Sequence, residues 1–308
     1  MSSTEFPSFI SRPFAESTDL AKVISFMHRI HAERPETGYL HVGDVLWQLY
    51  QNTVFDPARH SRLWEDQVGE LVALALHERP DGVMFQVRPD WRGRDILEPE
   101  ILAWGATHVD ATSPAYDGHL WARIPDTDPD TIASLTRLGF HRDDWFAVNM
   151  RHPLTETVTL PTLPPGFTVR AVGEETEWEA RVNLHRDVWH PSRVTLDAYQ
   201  RLRGVPGYDP ELDLVVVAPE GEMVAYCICW WDEVNRTGEF EPVGTREKWR
   251  GRGLGKTVIA EGLRRLQARG ARTAYVTTPG SNTAAQRLYE SAGFTTYTRE
   301  YLYGRLLP

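Results

Sequence analysis

Cysteine is nearly absent: 308 residues hold two, Cys227 and Cys229. They alternate within one apparent strand, a poor geometry for a disulfide, and two ligands are too few for a structural zinc site. Free buried thiols are expected, as in a reducing cytoplasm, and no metal. Long apolar runs are also missing, so no membrane span is expected. Met1 to Ile10 lacks a basic region followed by an apolar core, and no signal peptide is read there. An excess of positive charge is missing too. Lys and Arg number 33 against 43 Asp and Glu, a net charge of −10 that argues against wholesale nucleic-acid binding. The remainder is ordinary globular composition, 41% hydrophobic and 25% charged, ample for buried cores. A length of 308 residues suits one large or two ordinary domains.

The most distinctive stretch is Trp249-Arg250-Gly251-Arg252-Gly253-Leu254-Gly255-Lys256. It follows the apolar Phe240 to Thr245, which reads as a strand, and opens a helical run through Leu254, Val258, Ile259, Leu263 and Leu266, ended by Gly270. Glycines therefore sit where a strand turns into a helix. A helix start leaves backbone N–H groups unpaired and is electrically positive. Glycine adds conformations and close approaches that other residues avoid. The physical reading is a pyrophosphate cradle, made locally basic by Arg250, Arg252 and Lys256. The plainer reading is a turn that binds nothing. The phosphate loop of nucleotide hydrolases would need glycine where Arg250 stands, and the dinucleotide pattern would need it where Lys256 stands.

What fits is Arg-x-x-Gly-x-Gly, as Arg250, Gly253 and Gly255, which resembles the coenzyme A signature of the GNAT N-acetyltransferase superfamily. Downstream, Asn282-Thr283-Ala284-Ala285-Gln286-Arg287-Leu288-Tyr289-Glu290-Ser291-Ala292-Gly293-Phe294 is similar to that family's Asn-x-x-Ala-x-x-Leu-Tyr-x-x-x-Gly-Phe helix. Thr273 to Thr278 supplies the strand before it. The joint resemblance covers the chain from about Phe167 to its end. It implies acetyl-CoA as cosubstrate and an amine acceptor that the sequence does not identify.

Taken in order, Phe9 to Phe14 reads as a strand, and Thr18 to His31 and Gly43 to Tyr50 as helices. Three strands follow at Arg62 to Asp66, Gly69 to His77 and Val83 to Val87. After Trp91-Arg92-Gly93-Arg94 come a helix through Leu97 and Ile101, a strand at His119 to Ile124, a helix at Thr131 to Leu138 and a strand at Asp144 to Met150. Leu154 to Gly166, rich in Thr and Pro, is the best boundary. The second half repeats the first: Phe167 to Val172 is a strand, Glu174 to Val188 and Thr195 to Leu202 are helices, and Leu212 to Ala218, Met223 to Trp231 and Glu239 to Thr245 are strands. Phe294 to Leu307 closes the chain.

Two marks recur: Trp91-Arg92-Gly93-Arg94 mirrors Trp249-Arg250-Gly251-Arg252, and Gly139-Phe140 mirrors Gly293-Phe294. The expected fold is α/β, a mixed twisted sheet with helices on both faces in each of two tandem GNAT domains. Residues 1–155 form a degenerate first domain, 156–166 a linker and 167–308 the catalytic domain. The arrangement is similar to that of mycothiol-synthase-like acetyltransferases.

Acetyl transfer to an amine needs a base for the amine proton, donors for the developing oxyanion and an acid for the departing thiolate. By the resemblance, the strand Glu239 to Thr245 splays and its backbone, at Val243 and Thr245, pairs with the cofactor arm. Pro242 and Gly244 suit a local distortion there. A main-chain N–H around Val243 is the candidate oxyanion donor. The loop N–H groups of Arg252, Gly253, Leu254 and Gly255 hold the pyrophosphate, flanked by Arg250, Gly251 and Lys256. Tyr289 takes the position of the family's general acid; the competing reading is a core tyrosine sharing a helix face with Ala285 and Ala292. Asn282 contacts the cofactor arm, caps its helix, or both. Glu239 and Glu241 alternate with Val243 and Thr245, which predicts one shared face. Either glutamate serves as base, Glu239 first, or both form a solvated face. Trp178, Trp189, Trp230 and Trp231 are expected mainly in the core, and His185 and His190 in structural or surface roles.

In the first half, alignment puts Asp95 where Gly253 stands, Leu97 where Gly255 stands and Leu135 where Tyr289 stands. That half is expected to keep the fold without the chemistry. The reading is an N-acetyltransferase acting on a small-molecule amine by direct ternary-complex transfer. Its rivals are a protein N-terminal or lysine acetyltransferase and a non-catalytic acyl-CoA sensor.

Overall fold

Apolar alternation in the strands and the 3.6-residue pattern in the helices put most elements where the sequence predicts them. The computed structural model describes residues 8–34, 40–78, 80–92 and 95–308. Residues 1–7 of the Met1 to Ile10 stretch, and Gly93 and Arg94 of the first Trp-Arg-Gly-Arg mark, lie outside the described residues. The first elements are β1 (Phe9–Pro13), α1 (Glu16–Glu33), α2 (Val42–Tyr50), α3 (Pro57–His60), β2 (Ser61–Asp66), β3 (Leu71–His77) and β4 (Gly82–Val87). Then come α4 (Leu97–Ala106), β5 (His119–Pro125), α5 (Pro129–Arg137), β6 (His141–Pro153), β7 (Thr168–Ala171), α6 (Trp178–Val188) and α7 (Leu196–Arg203). The chain ends with β8 (Asp213–Val217), β9 (Met223–Asp232), β10 (Thr237–Thr245), α8 (Leu254–Ala268), β11 (Thr273–Pro279), α9 (Thr283–Ser291) and β12 (Thr295–Leu306). The single turn α3 escapes the sequence pattern because it is local: Asp56 caps it and Pro57 opens it.

The chain folds into two units. The first comprises Met1–Leu40, Asp56–Phe146 and Thr298–Pro308, the second His41–Phe55 and Ala147–Tyr297. In the first, the strand order is β1-β2-β3-β4-β5-β12, antiparallel except for the parallel pair β4–β5. Trp64, Trp91, Leu97, Ile101 and Phe140 lie in its core. In the second, the order is β6-β11-β10-β9-β8-β7, antiparallel except for the parallel pair β10–β11.

Membership of the units does not follow sequence order. Glu300 to Leu306 of β12 pair with β5 in the first unit, and Ala147 to Pro153 of β6 pair with β11 in the second. Helix α2 belongs to the second unit, although it precedes most of the first. A Cβ on its Gly43 would lie 2.3 Å from the Trp230 ring, so this helix seats against β9 only with glycine there. Its start is fixed by a reciprocal cap: the His41 ring accepts from Gly43 N–H, and Asp44 accepts from His41 N–H at 3.0 Å.

Candidate active site

Pairing between β10 and β11 runs from Thr237↔Thr273 to Glu239↔Tyr275 and, among the described residues, no further. Beyond that point β10 follows β9 to Thr245 and β11 follows β6 to Pro279. Two parallel strands thus diverge. Strand β10 also bulges: Phe240 faces Cys229 but Val243 faces Cys227, so it carries one extra residue. Glu241 and Pro242 form the bulge. Pro242 has no N–H for a ladder bond, and Trp230 Nε1 donates to the Glu241 carbonyl at 2.7 Å.

The bulge corrects the expected single face. Before it, Gly238 and Phe240 pack on α8, where a Cβ on Gly262 would lie 2.6 Å from Phe240. Glu239 therefore points the other way, toward the face of its partner Trp230 and α2. After the bulge, Gly244 meets Val188 of α6, and Thr245 Oγ1 lies 3.2 Å from a Cβ built on Gly255 of α8. Val243 and Thr245 thus lie on the face opposite Glu239, because one inserted residue reverses the alternation. The backbone follows suit. Arg246 N–H donates to Val224 of β9 at 2.9 Å, so by alternation the N–H groups of Thr245 and Val243 turn toward the divergence.

The loop at the end of β10 has the form of an anion cradle. Gly251 and Gly253 have φ of 77° and 79°, with open space around a built Cβ at both. Glycine is required there by the left-handed backbone, not by crowding. Gly253 is the N-cap of α8 and offers no capping side chain. Thr257 N–H bonds Gly253 O at 3.0 Å, so the N–H groups of Leu254, Gly255 and Lys256 precede the helical ladder. Arg250 Nε donates to Thr245 O at 3.2 Å and ties the loop to the strand. The Arg252 guanidinium lies 4.6 Å from the Trp249 ring centroid.

Across the divergence stands α9. Asn282 caps it, accepting from Ala285 N–H at 3.1 Å. Tyr289 is buried, and Phe294 packs edge-on to both Tyr289 and Phe240 of β10, at 5.9 Å in each case. This aromatic chain holds the phenol relative to β10. Burial raises the Tyr289 phenol above its ordinary range, and the charge of Glu241 raises it further, so it stays protonated at neutral pH.

Glu239 is 3% exposed, and its Oε2 lies 3.3 Å from His41 Nδ1 at the start of α2. Sequence reading did not single out His41; the one available signal was the short capping pattern His41-x-x-Asp44 before an apolar run. Beside this site, Asp213 accepts from Arg181, Tyr199 and Tyr208 at 2.9, 2.7 and 2.8 Å, joining α6 and α7 to β8. Tyr226 OH lies 2.7 Å from His185 Nδ1 and accepts from Trp189 Nε1. Burial lowers His185 to about 3, so it is neutral and accepts the Tyr226 proton. Trp230 is buried, Trp178 and Trp231 are half-buried, and Trp189 is 46% exposed rather than a core residue. Cys227 and Cys229 are free buried thiols.

The first unit repeats parts of this local design with other side chains. Arg92 Nε donates to Val87 O at 3.0 Å, as Arg250 does to Thr245. Phe140 N–H donates to Leu135 O and Phe294 N–H to Tyr289 O, both at 3.0 Å, so Leu135 occupies the local position of the phenol. Asp95 adopts φ 53°, the left-handed backbone of Gly253. Its carboxylate is not left as bare charge, because Ser134 and Arg137 donate to it at 2.5 Å. β4 and β5 also part after two register pairs, but Arg92 bridges to Asp128 there and Arg123 to Glu300. The cavity these residues line is about 20 Å³, room for about one water.

The sequence pattern of the acetyltransferase (GNAT) family matches residues 176–294. The chain is 32% identical over 262 residues to a mycothiol acetyltransferase of Streptomyces bingchenggensis, with 80% of each chain covered. It is 32% identical over 255 residues to a mycothiol acetyltransferase of Thermobispora bispora, covering 78% of this chain and 81% of that one. Among solved structures, a GCN5-related N-acetyltransferase from Sphaerobacter thermophilus superposes with a TM-score of 0.66 at 21% identity, covering 97% and 96% of the two chains. A tandem GNAT protein from the clavulanic acid biosynthesis pathway gives 0.66 at 16% identity, covering 98% and 99%. The chain belongs to the GNAT family and is an acetyltransferase with that family's tandem fold.

Proposed function

We propose that the second unit transfers the acetyl group of acetyl-CoA directly to a primary amine of a small molecule, both bound at once. The observation that carries this is the divergence of β10 from β11, with the Val243 and Thr245 N–H groups turned into it and the Gly251 to Lys256 cradle at its end. The cradle N–H groups take the pyrophosphate, and the pantetheine arm pairs with β10. Glu239 accepts a proton from the acceptor ammonium, directly or through water. The freed amine attacks the thioester carbonyl, and Val243 N–H receives the developing oxyanion. As the C–S bond breaks, the thiolate takes the Tyr289 proton, and the second N–H proton of the attacking nitrogen, lost as the amide forms, restores the phenol through water. Glu241 supports that last step by keeping the phenol protonated.

Residues 1–155 and 167–308 are two copies of one ancestral domain in this reading, and the first binds no coenzyme. The small 20 Å³ cavity and Leu135 support that view. The names of the relatives support a small-molecule acceptor. The test is thiol release from acetyl-CoA across two panels: amino sugars with their cysteinyl conjugates and polyamines, and peptides with free N-termini or lysines. Turnover with the small amines is expected. Turnover confined to peptides would overturn the acceptor class, and thiol release with neither panel would overturn the enzyme reading in favour of a sensor.

A further inference from the structure

His185 of α6 is 6% exposed, and a short chain of hydrogen bonds fixes its ring. Trp189 Nε1 donates to Tyr226 OH at 2.8 Å, and Tyr226 OH lies 2.7 Å from His185 Nδ1. An indole N–H only donates, so the phenol proton has one acceptor among the described residues, His185 Nδ1. The ring proton therefore sits on Nε2. No described residue accepts it, and Nε2 is not sealed in the core: it reaches solvent from a ring that is otherwise buried. Trp47 of α2 lies beside the ring at 5.5 Å, and Trp189 stacks on it at 6.4 Å with an interplanar angle of 26°.

This network borders the reacting end of β10. Tyr226 and Trp230 share one face of β9 by alternation, the face on which Glu239 and α2 lie. Tyr226 pairs with Gly244, the residue after Val243, and a Cβ there would lie 2.8 Å from its ring. Burial and, after it, the charge of Glu241 raise the phenols of both Tyr226 and Tyr289, so the bulge is within electrostatic reach of each. A buried imidazole with one bare N–H in this place is a donor without an acceptor. A hydroxyl or an amide carbonyl supplies the missing oxygen. A carboxylate would be buried against a ring that carries no countercharge. The indole of Trp189, 46% exposed, adds an apolar face at the same spot.

We infer that His185 is an acceptor-binding residue: its Nε2–H donates to a hydroxyl or amide-carbonyl oxygen of the amine substrate, beside the indole face of Trp189. This rests on the second unit acetylating a small amine from the face that Glu239 shares. No proton is transferred at His185. Tyr226 holds the tautomer, and the bond selects which amines are oriented for attack.

The test compares the full parent chain with His185→Phe and His185→Gln at saturating acetyl-CoA. The acceptors are glucosamine, or its cysteinyl conjugate where that is faster, and cyclohexylamine, a ring amine with no oxygen. Cyclohexylamine is read as a substrate or, where it is not turned over, by its Ki against the first amine. His185→Phe removes the donor and keeps a planar ring. It should lower kcat/KM for the oxygen-bearing amine by roughly 3- to 10-fold, through KM, the net worth of one hydrogen bond. Cyclohexylamine should be unaffected or favoured, because the unpaired donor it faced is gone. His185→Gln keeps an amide N–H of similar reach and should retain most of the preference. If His185→Phe does not fold, Tyr226→Phe replaces it: the tautomer is then no longer held, and the preference should shift the same way. An equal loss with both amines, as damaged packing would give, or an unchanged preference would overturn the inference. So would parent turnover confined to polyamines, which carry no oxygen. Failure of the underlying reading looks different: the parent itself would then turn over no small amine.

Discussion

Replacing Tyr289 by Phe removes one proton and leaves the packing in place. The ring is 6% exposed and held edge-on at 5.9 Å by Phe294, a contact that Phe retains. Stability should change by no more than about 1 kcal/mol. The chemical step should slow by about 10²- to 10⁴-fold, the usual worth of a positioned general acid. At 1.36 kcal/mol per decade that is about 2.7–5.4 kcal/mol of barrier. The pH dependence has a definite sign. Burial and Glu241 raise the phenol above its ordinary 10.0, so the wild-type rate should show no falling limb from this group below pH 10. Glu241→Gln removes one of those causes and should bring the alkaline limb to lower pH. The assay is a single-turnover quench with enzyme in excess over acetyl-CoA, which reads chemistry instead of product release. Calorimetry should give an unchanged acetyl-CoA affinity. A Phe variant that keeps the full single-turnover rate would show that Tyr289 only packs.

Gly43→Ala would place a methyl 2.3–2.6 Å from Trp230 and should cost about 1–3 kcal/mol through overpacking, read as a lower Tm. Arg181→Met leaves Asp213 buried with only its two tyrosine donors, so a loss of about 3–5 kcal/mol is expected in urea unfolding. His185 is neutral when folded, with its value depressed from 6.5 to about 3. Its contribution is therefore present above pH 6.5 and is lost as pH falls toward 3, about 2 kcal/mol by pH 5. His185→Gln should flatten that part of the stability profile in urea melts at pH 7 and pH 5.

The elements and the cradle were legible because they are local. Glycines at a strand-to-helix turn, a capped helix with Tyr289 one face along, and the paired Gly-Phe marks are written in short windows. The residues that complete the site were not. Pro242 signalled a distortion, but only the pairing with β9 shows that the bulge puts Glu239 on the face opposite Val243 and Thr245. His41 lies 198 positions before Glu239, and their proximity depends on α2 seating against Trp230. The strands β6 and β12 alternate as strands should, yet alternation does not encode a partner. In sequence, Asp95 simply stands where the second half has Gly253. In the fold, Arg137 and Ser134 take up its charge, and Arg92 bridges to Asp128 where β4 and β5 part.

Acetyl-CoA binding to the full chain, titrated by calorimetry alongside Gly253→Asp, tests most directly that one unit carries the site. The substitution puts a carboxylate at the N-cap of α8, where the backbone has φ 79° and the N–H groups that precede the helical ladder begin. One saturable site per chain is expected, lost in the variant. A second site that survives Gly253→Asp, or an affinity the variant leaves unchanged, would contradict the assignment of the coenzyme to the Gly251 to Lys256 cradle.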